Sequence, residues 1–269
     1  MEIAGTAIPI QLTNLNYHSN EVNRHYMSNS QYKDFMECEA MAMAKINGEW
    51  REEPNDAMLV GSYVHAAFDG TLEDFKLEHP EMLTQKGELK AAFKQADEMI
   101  SVLQNDEFAQ FVLDGLHEHI IIAEFAGALW KAKLDVYTPE QRIVDIKTAR
   151  NIHEKYWDKD FGWVTFAEKF GYLRQMSIYA ELVRIVTNAA HWLEPLIVAV
   201  TKEDPPDKEI IGLDIMRIEY EIELVKAQMP RILLVKSGEE EPKRCEKCRY
   251  CRTTKKLQKV MFYGDLIEG

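Results

Sequence analysis

The chain has 269 residues, of which 46% are hydrophobic and 29% charged, proportions typical of a globular protein with a substantial core. Its formal net charge of −13, taken alone, argues against a nucleic-acid partner. No apolar run approaches the ~20 residues that cross a bilayer, and the start MEIAGTAIPIQLTN lacks the pattern of a secretory signal, so we expect a cytoplasmic protein without a membrane partner.

The N-terminal part of the sequence, about residues 28–105, predicts helices. Two serines can cap a helix over about residues 31–46. The run LVGSYVHAAFDGTLEDF lies in a second predicted helix, over about residues 57–77, and a third covers about residues 87–104.

After this helical part the pattern changes to one of strands. HEHIIIAEFAGALWKAKLDVY is β-branched and aromatic with polar interruptions, which predicts two strands. KLDVYTPEQRIVDIKTA, at residues 133–149, predicts a hairpin with strands 133–138 and 142–148. Each strand of this hairpin carries a carboxylate among Leu, Val and Ile: Asp135 in the first and Asp145 in the second.

The length of the hairpin loop decides whether these two carboxylates share a face. Residues two apart in a strand point the same way, so Asp145 and Lys147 lie on one face. Asp135 joins them if the loop has an odd length, for example residues 139–141, whereas a two-residue turn sends it to the other face. No Asn-Gly or Asp-Gly forces a two-residue turn, and the odd loop is therefore permitted.

The rest of the chain predicts further helices and strands around the same sheet. A short helix is predicted near residues 151–157, a long one near 164–186 and another over about 216–235; HWLEPLIVAVT and KEIIGLDI predict two strands. This order describes an α/β protein with a mixed central sheet flanked by helices. Because no repeat, low-complexity tract or linker interrupts it, we expect residues 1–269 to form one domain.

Two carboxylates on one face of a sheet are costly unless they share a cation. Carboxylate oxygens suit Mg²⁺ or Mn²⁺, and Lys147 beside such an ion could orient an attacking water or stabilise charge on a phosphate. The alternative is a pair of surface salt bridges on a half-exposed sheet. The pattern Asp-x-Lys is too common to decide between the two.

Four further side chains could complete a site, and each has a plainer alternative. His65, in GSYVHAAF, could be a metal ligand or a satisfied core histidine. Gln175 and Tyr179 project from the same side of a predicted helix and could bind a ligand or form a packed polar stripe. Glu124, in IIAEFAG, could support the site or face solvent.

The chain has four cysteines, and three of them are regularly spaced near its C-terminal end. CEKCRYC holds Cys245, Cys248 and Cys251, a spacing that lets thiolates converge on one metal or cluster. Three cysteines need a fourth ligand, and the remaining one is Cys38, whose alternative role is that of a small buried core residue. In a cytoplasmic protein, thiols or metal ligands are more expected than disulfides.

The charge distribution qualifies the acidic net charge. Residues 243–259 carry eight basic side chains and one acidic one, which makes this segment +7 and the remainder of the chain −20. A local basic tract can hold a phosphate backbone on an acidic protein. The alternative is a solvated charged tail.

Taken in chain order, these motifs resemble the PD-(D/E)XK nuclease superfamily, and in particular phage-type exonucleases of the RecE kind, related to the nuclease domains of RecB and AddB. The resemblance rests on GSYVH, a strand glutamate, KLDVY, VDIK and QMSIYAEL, and spans about residues 28–182. The leading Pro-Asp of the family pattern is absent, since Leu134 precedes Asp135. The resemblance implies a restriction-endonuclease-like core.

The resemblance also implies roles for individual residues. It implies that the side chains of His65, Asp135 and Asp145 and the backbone carbonyl of Ile146 hold the divalent metals. Lys147 would position or activate the water, Gln175 and Tyr179 would bind the nucleic acid near the scissile phosphate, and Glu124 would support the site. Cys38, Cys245, Cys248 and Cys251 would bind a [4Fe–4S] cluster as in AddB-like nucleases, in preference to Zn²⁺.

The activity implied is metal-dependent hydrolysis of linear double-stranded DNA, 5′ to 3′, in phage-type recombination. Such enzymes leave a 3′ overhang for a single-strand annealing recombinase and often assemble as homo-oligomers. Two alternatives stay open: a structure-specific endonuclease, and a non-catalytic nucleic-acid-binding protein that uses the basic, cysteine-rich tail.

Overall fold

A five-stranded mixed sheet lies at the centre of the computed structural model, which describes residues 10–52, 56–257, 260 and 262–266. The spatial order is β1-β2-β3-β6-β7, and the strands are β1 (Leu116–Phe125), β2 (Ala128–Thr138), β3 (Arg142–Ala149), β6 (Glu194–Thr201) and β7 (Lys208–Gly212). Only β3 and β6 pair in parallel within this sheet; the other neighbours are antiparallel. Two short strands, β4 (Tyr156–Asp158) and β5 (Gly162–Val164), form a separate hairpin.

Helices cover both faces of the sheet, so the α/β architecture with a mixed, helix-flanked sheet is confirmed. The helices are α1 (Asn20–His25), α2 (Asn29–Glu37), α3 (Glu39–Asn47), α4 (Asp56–Asp69), α5 (Leu72–Glu78), α6 (Ala91–Gln104), α7 (Glu107–Leu113), α8 (Phe166–Lys169), α9 (Tyr172–Val186), α10 (Ile215–Ser237) and α11 (Arg249–Thr253). One core layer contains α2, α3, α9 and α10, and the opposite layer contains α4, α6 and α7. Among the described residues, no helix is long and apolar enough to span a bilayer.

The hairpin register matches the prediction from the sequence. Thr138 lies opposite Arg142 across a three-residue loop, and the regular pairing of β2 with β3 ends at Val136 and Val144. Beyond that point the two strands are joined through a side chain, because the Asp135 carboxylate accepts a hydrogen bond from the backbone N–H of Ile146. The odd loop therefore places Asp135 and Asp145 at the same position along the two strands.

Two predicted helices are each divided into two. The predicted helix over residues 31–46 breaks at Cys38, whose extended backbone (φ −165°, ψ 109°) ends α2 and begins α3. The predicted helix over 57–77 breaks at Gly70, whose φ of +80° is readily adopted only by glycine. Hydrophobic periodicity continued through both positions, and so it could not reveal either break.

The helix predicted near residues 151–157 is wrong, because this segment leads into the β4–β5 hairpin. Tyr156 and Trp157 belong to β4, and the carboxylate of Asp158 accepts hydrogen bonds from the N–H groups of Asp160 and Phe161 in the turn. Aromatic residues favour strands, and an aspartate that binds the backbone two residues ahead favours a turn. The helix α7 and the terminal helices α1 and α11 were not predicted.

We expect replacement of Trp130 by alanine to destabilise the fold strongly. The ring is 0% exposed, packs against Phe125 and Tyr32, and donates from Nε1 to the Phe125 carbonyl at 2.9 Å. Loss of a buried Trp costs about 3–5 kcal/mol. The free energy of unfolding, measured by urea denaturation with circular dichroism, should fall by that amount in Trp130→Ala.

Trp157→Ala is the matched control, since this indole is 63% exposed. Its loss should cost about 1 kcal/mol or less. Equal losses in the two variants would contradict the packing described for Trp130.

Candidate active site

A cleft of about 950 Å³ opens where β2 and β3 separate. His65 from α4, Asp135 from β2, Ile146 and Lys147 from β3, and Tyr172 from α9 line it. Helices α4 and α9, which belong to opposite core layers, thus both reach the cleft at the point where the regular pairing of β2 with β3 ends. Of the hairpin side chains that the sequence singled out, Asp135 and Lys147 line this opening, and Asp145 contacts Lys147.

Asp145 is a buried carboxylate held by α9. The side chain is 2% exposed, and Oδ1 accepts a hydrogen bond from Gln175 Nε2 at 2.6 Å. Oδ2 lies 2.5 Å from Lys147 Nζ but has no hydrogen bond of regular geometry among the described residues. Burial raises the pKa of Asp145 to about 6, although the Lys147 ammonium opposes this. One oxygen of a desolvated carboxylate is therefore left without a regular donor.

Asp135 is the second carboxylate, half-buried at the cleft, and His65 is its partner. Asp135 Oδ2 accepts the Ile146 N–H at 2.7 Å and lies 3.3 Å from His65 Nδ1. Burial would raise the pKa of Asp135, but the adjacent His65 outweighs this effect and lowers it. His65 Nε2 lies 2.8 Å from the Ile146 carbonyl oxygen. Burial alone would lower the pKa of His65, yet Asp135 raises it to about 9, so both ring nitrogens donate.

Lys147 is held between a carboxylate and an aromatic ring. Its Nζ lies against Asp145 Oδ2 and 4.9 Å from the centre of the Tyr172 ring. Burial would lower the pKa of Lys147, but the Asp145 and Asp135 carboxylates outweigh that effect and raise it. The side chain therefore carries a positive charge at the floor of the cleft.

The donor set fits a hard divalent cation. The structure brings the Asp135 carboxylate, the Ile146 carbonyl and the His65 imidazole to one opening, and the Asp145 carboxylate contacts Lys147 beside them. Oxygen-rich sets of this kind suit Mg²⁺ or Mn²⁺. Asp145 Oδ2 contacts the Lys147 ammonium but has no hydrogen bond of regular geometry among the described residues, so it keeps lone pairs that a cation could use. The ring nitrogens of His65 contact Asp135 and the Ile146 carbonyl, so a cation at those oxygens would compete with the imidazolium.

Gln175 and Tyr179 lie behind the carboxylates. Gln175 Nε2 donates to Asp145 and also to the Tyr179 hydroxyl at 3.2 Å, which makes a short relay along one side of α9. In this arrangement the Gln175 amide orients Asp145. Tyr179 lines a neighbouring pocket together with Ser28 and Lys131, rather than the cleft itself.

The structure does not bring Glu124 to the cleft. Glu124 is exposed near the end of β1, where it pairs with Leu129. Glu118 lines the cleft instead: it lies between His117 and His119, which pair with the neighbours of Asp135, and it forms an ion pair with Lys133. Counting back from the turn between β1 and β2 would have found Glu118, because that turn fixes which residue faces Asp135.

Basic side chains at the cleft were also missed by sequence reasoning. They come from four separate parts of the chain: Lys33, Lys133, Arg150 and Lys202. These side chains form a basic rim on an acidic protein, with Lys133 paired to Glu118 and Asp69 lining the same cleft. A rim of this kind can hold a phosphate backbone.

The four cysteines form a second cluster, as the sequence predicted. Cys38 Sγ lies 3.6 Å from Cys251 Sγ, Cys245 Sγ lies 4.0 Å from it, and all four sulfurs, including that of Cys248, lie within 4.8 Å of one another. Backbone N–H groups of Cys248 and Cys251 point at the sulfurs of Cys245 and Cys248 at 3.2 and 3.4 Å. The extended backbone at Cys38, which ends α2, allows one thiol of the helical layer to meet the tail.

A charged clamp fixes the tail beside this cysteine cluster. Arg231 donates to both carboxylate oxygens of Glu39, at 2.9 and 2.7 Å, and Glu39 accepts the Lys243 N–H at 2.7 Å. Within the basic tract, Arg244 donates to the Cys251 carbonyl, and Lys259 lies outside the described residues. Part of the basic tract is therefore engaged in holding the cluster.

Comparisons with known proteins agree with this architecture. The family described as "PDDEXK-like domain of unknown function (DUF3799)" matches residues 28–254. A crystal structure of a "putative exonuclease" from Eubacterium rectale shares 43% identity and a TM-score of 0.93, covering 97% of this chain and 99% of that one. The solved structure of SSO0001 shares 15% identity with this chain and covers 70% of this chain and 82% of that one. Its TM-score of 0.27 is too low to indicate a shared fold. No curated protein matches the sequence.

We expect Mn²⁺ to stabilise the protein through the cleft carboxylates. A ligand that binds only the folded state at 100 times its Kd adds about 2.7 kcal/mol. Differential scanning fluorimetry should show a rise in Tm with Mn²⁺ for the natural protein and little rise for Asp145→Asn, which keeps the shape and removes the charge.

Glu124→Gln is the control for this measurement, because that carboxylate is exposed and away from the cleft. It should respond to Mn²⁺ like the natural protein. A response lost in Glu124→Gln and kept in Asp145→Asn would place the cation elsewhere.

Proposed function

The chain belongs to the PDDEXK-like family that matches residues 28–254, and on that premise we propose that it is a metal-dependent nuclease that hydrolyses phosphodiester bonds of linear double-stranded DNA from an end. The carrying observation is that Lys147 and the half-buried Asp135 line one opening of the sheet, and that the buried Asp145 contacts Lys147 there. We extend the proposal to a single catalytic domain that includes the cysteine-bearing tail.

Each residue of the opening has a distinct part in this proposal. Asp135, Asp145, the Ile146 carbonyl and His65 would hold Mg²⁺ or Mn²⁺, which polarises the phosphate and makes bound water more acidic. His65 must lose a proton to act as a ligand, because only the neutral ring has a free lone pair. Gln175 keeps Asp145 in one orientation through their 2.6 Å hydrogen bond.

Lys147 is the proposed catalytic residue for the attacking water and the phosphate. Its ammonium lies on the floor of the cleft and is fixed by Asp145 and the Tyr172 ring. A fixed positive charge stabilises negative charge that grows on the phosphate oxygens and orients a water for in-line attack. The neighbouring Asp145 and Asp135 carboxylates raise the pKa of Lys147, which favours the charged form and an electrostatic role.

DNA is supported as the substrate by the basic rim of the cleft and by the name of the similar Eubacterium rectale protein, a "putative exonuclease". We propose 5′ to 3′ digestion that leaves a 3′ overhang for a single-strand annealing recombinase, as in phage-type recombination. A homo-oligomeric ring is part of the same proposal. The second candidate function is structure-specific endonuclease activity, which the same opening would serve.

We expect Lys147→Ala to lose cleavage of linear duplex DNA by about 10²–10⁴-fold, the usual contribution of one positioned catalytic group. The measurement is release of nucleotides from end-labelled linear duplex with Mg²⁺, and EDTA should abolish it. Lys226→Ala is the matched control, because Lys226 is a surface residue paired only with Glu223 among the contacts described here. Cleavage that survives both Lys147→Ala and EDTA would refute the mechanism.

The form of the DNA separates the two candidate functions. An end-dependent exonuclease degrades the linear duplex and leaves a covalently closed circle of the same sequence intact. Cutting of the circle at a comparable rate would favour the endonuclease. Labels at the 5′ and 3′ ends of the linear substrate report the polarity.

The spacing of the cysteine sulfurs supports a single tetrahedral ion. Metal–sulfur bonds of about 2.3 Å in a tetrahedron place the sulfurs about 3.8 Å apart, and two of the observed separations are 3.6 and 4.0 Å. A [4Fe–4S] cluster binds each cysteine to a different iron atom, so its four sulfurs must lie farther apart than around one ion. The present spacing therefore does not fit the cluster that the resemblance implied, and we propose Zn²⁺.

We expect protein purified without air to contain about one zinc per chain and no broad visible absorption. Elemental analysis and an absorption spectrum measure both. Cys38→Ser should lose most of the metal, and Lys147→Ala should keep it. Brown protein with about four irons per chain, the composition of a [4Fe–4S] cluster, would overturn the single-ion proposal.

A further inference from the structure

The β4–β5 hairpin presents a pair of exposed indoles. Trp157 and Trp163 lie opposite each other in its register, with ring centres 5.5 Å apart at 79°, and are 63% and 67% exposed. Phe161 at the turn is 69% exposed. The large exposed hydrophobic side chains of this hairpin are thus all aromatic, and none of them has a role in the site described above.

The hairpin is physically continuous with the cleft. Tyr156, on the face opposite the indoles, lines the cleft and packs edge to face on Phe170 at 5.5 Å. Phe170 packs on Tyr172 at 5.9 Å, and the Tyr172 ring lies 4.9 Å from Lys147 Nζ. A chain of aromatic contacts therefore connects the base of the hairpin to the proposed catalytic lysine.

The size and chemistry of this surface favour nucleobases over a folded protein partner. Three aromatic side chains of about 150–250 Å² each, about two-thirds exposed, offer roughly 400 Å². A stable protein interface buries about 800 Å² on each partner. Aromatic rings stack on the faces of all bases. The exposed Lys155 directly precedes β4 and can meet the backbone charge, which Asp158 and Asp160 of the hairpin oppose in part.

We propose that the Trp157–Trp163 surface, formed by these two indoles and Phe161, stacks on unpaired bases of DNA at the mouth of the cleft. This inference rests on the proposed nuclease function and adds a binding site for single-stranded DNA to it. The surface would hold a frayed or already processed strand while the neighbouring phosphate backbone lies in the cleft. Stacking by two rings is sequence-tolerant, so the site should bind single strands of any base composition.

The test is binding of a fluorophore-labelled oligo(dT) of about 12 nucleotides, a usual site size, measured by anisotropy with Ca²⁺ in place of Mg²⁺. The double variant Trp157→Ala/Trp163→Ala should bind it at least about tenfold more weakly, given the stacking contribution of each ring. Trp157→Phe/Trp163→Phe should restore most of the binding. Because both indoles are exposed, circular dichroism and Tm should stay close to those of the natural protein.

The matched control is Phe108→Ala/Phe111→Ala. These two rings are also exposed, at 62% and 59%, and stacked at 6.4 Å, but they lie on α7 and do not line the cleft. This variant should bind the oligonucleotide like the natural protein. Equal binding by the tryptophan variant and the natural protein would overturn the inference.

A cleavage assay on blunt linear duplex with Mg²⁺ separates this inference from the proposed function. If the natural protein cleaves and the tryptophan variant binds single strands normally, the stacking site is refuted and the nuclease stands. If the natural protein does not cleave but binds single strands through the two indoles, the nuclease is refuted and the stacking site stands.

Discussion

The candidate site depends on keeping two carboxylates and one ammonium charged in a place with little water. Asp135 receives the Ile146 N–H and the His65 ring, and Asp145 receives the Gln175 amide and the Lys147 ammonium. Without such partners a buried carboxylate would gain a proton, a buried ammonium would lose one, or the fold would be destabilised. Asp145, with one oxygen free of a regular donor and a pKa raised to about 6, is the least satisfied member. That incomplete satisfaction supports the proposal of a binding site over a purely structural salt bridge.

The surrounding fold supplies these partners from opposite sides of the sheet. Helix α4, in one core layer, contributes His65, and α9, in the other, contributes Gln175. They meet where β2 and β3 stop pairing, since only there can side chains from both layers reach the strands. The Glu39–Arg231 clamp and the cysteine cluster fix the tail to α3. A metal in that cluster would stabilise the helical layer without taking part in the chemistry.

Local patterns revealed the strands of the sheet and the hairpin register, because strand alternation and loop length act over a few residues. They failed where a longer-range contact decides the structure. The helix break at Cys38 is favoured by thiols more than two hundred residues away, and periodicity along one helix cannot report it. The strand glutamate that the sequence singled out, Glu124, lies away from the cleft, whereas Glu118 lines it; only the register across the β1–β2 turn brings Glu118 near Asp135. The basic rim comes from four distant segments, so composition showed only the acidic average.

The acidic net charge of the protein limits the ways in which it could hold DNA. With a net charge of −13 the protein as a whole repels a phosphate backbone, and the Debye length of about 8 Å at physiological salt limits this repulsion to short range. Binding must therefore come from contacts inside that distance: the lysines and arginine of the cleft, divalent cations between carboxylates and phosphate, and rings that stack on bases without regard to charge. A uniformly basic surface would attract the DNA product over a long range and oppose its release. A cleft that combines cations with nearby exposed aromatic rings avoids this attraction, and it therefore suits an acidic nuclease better.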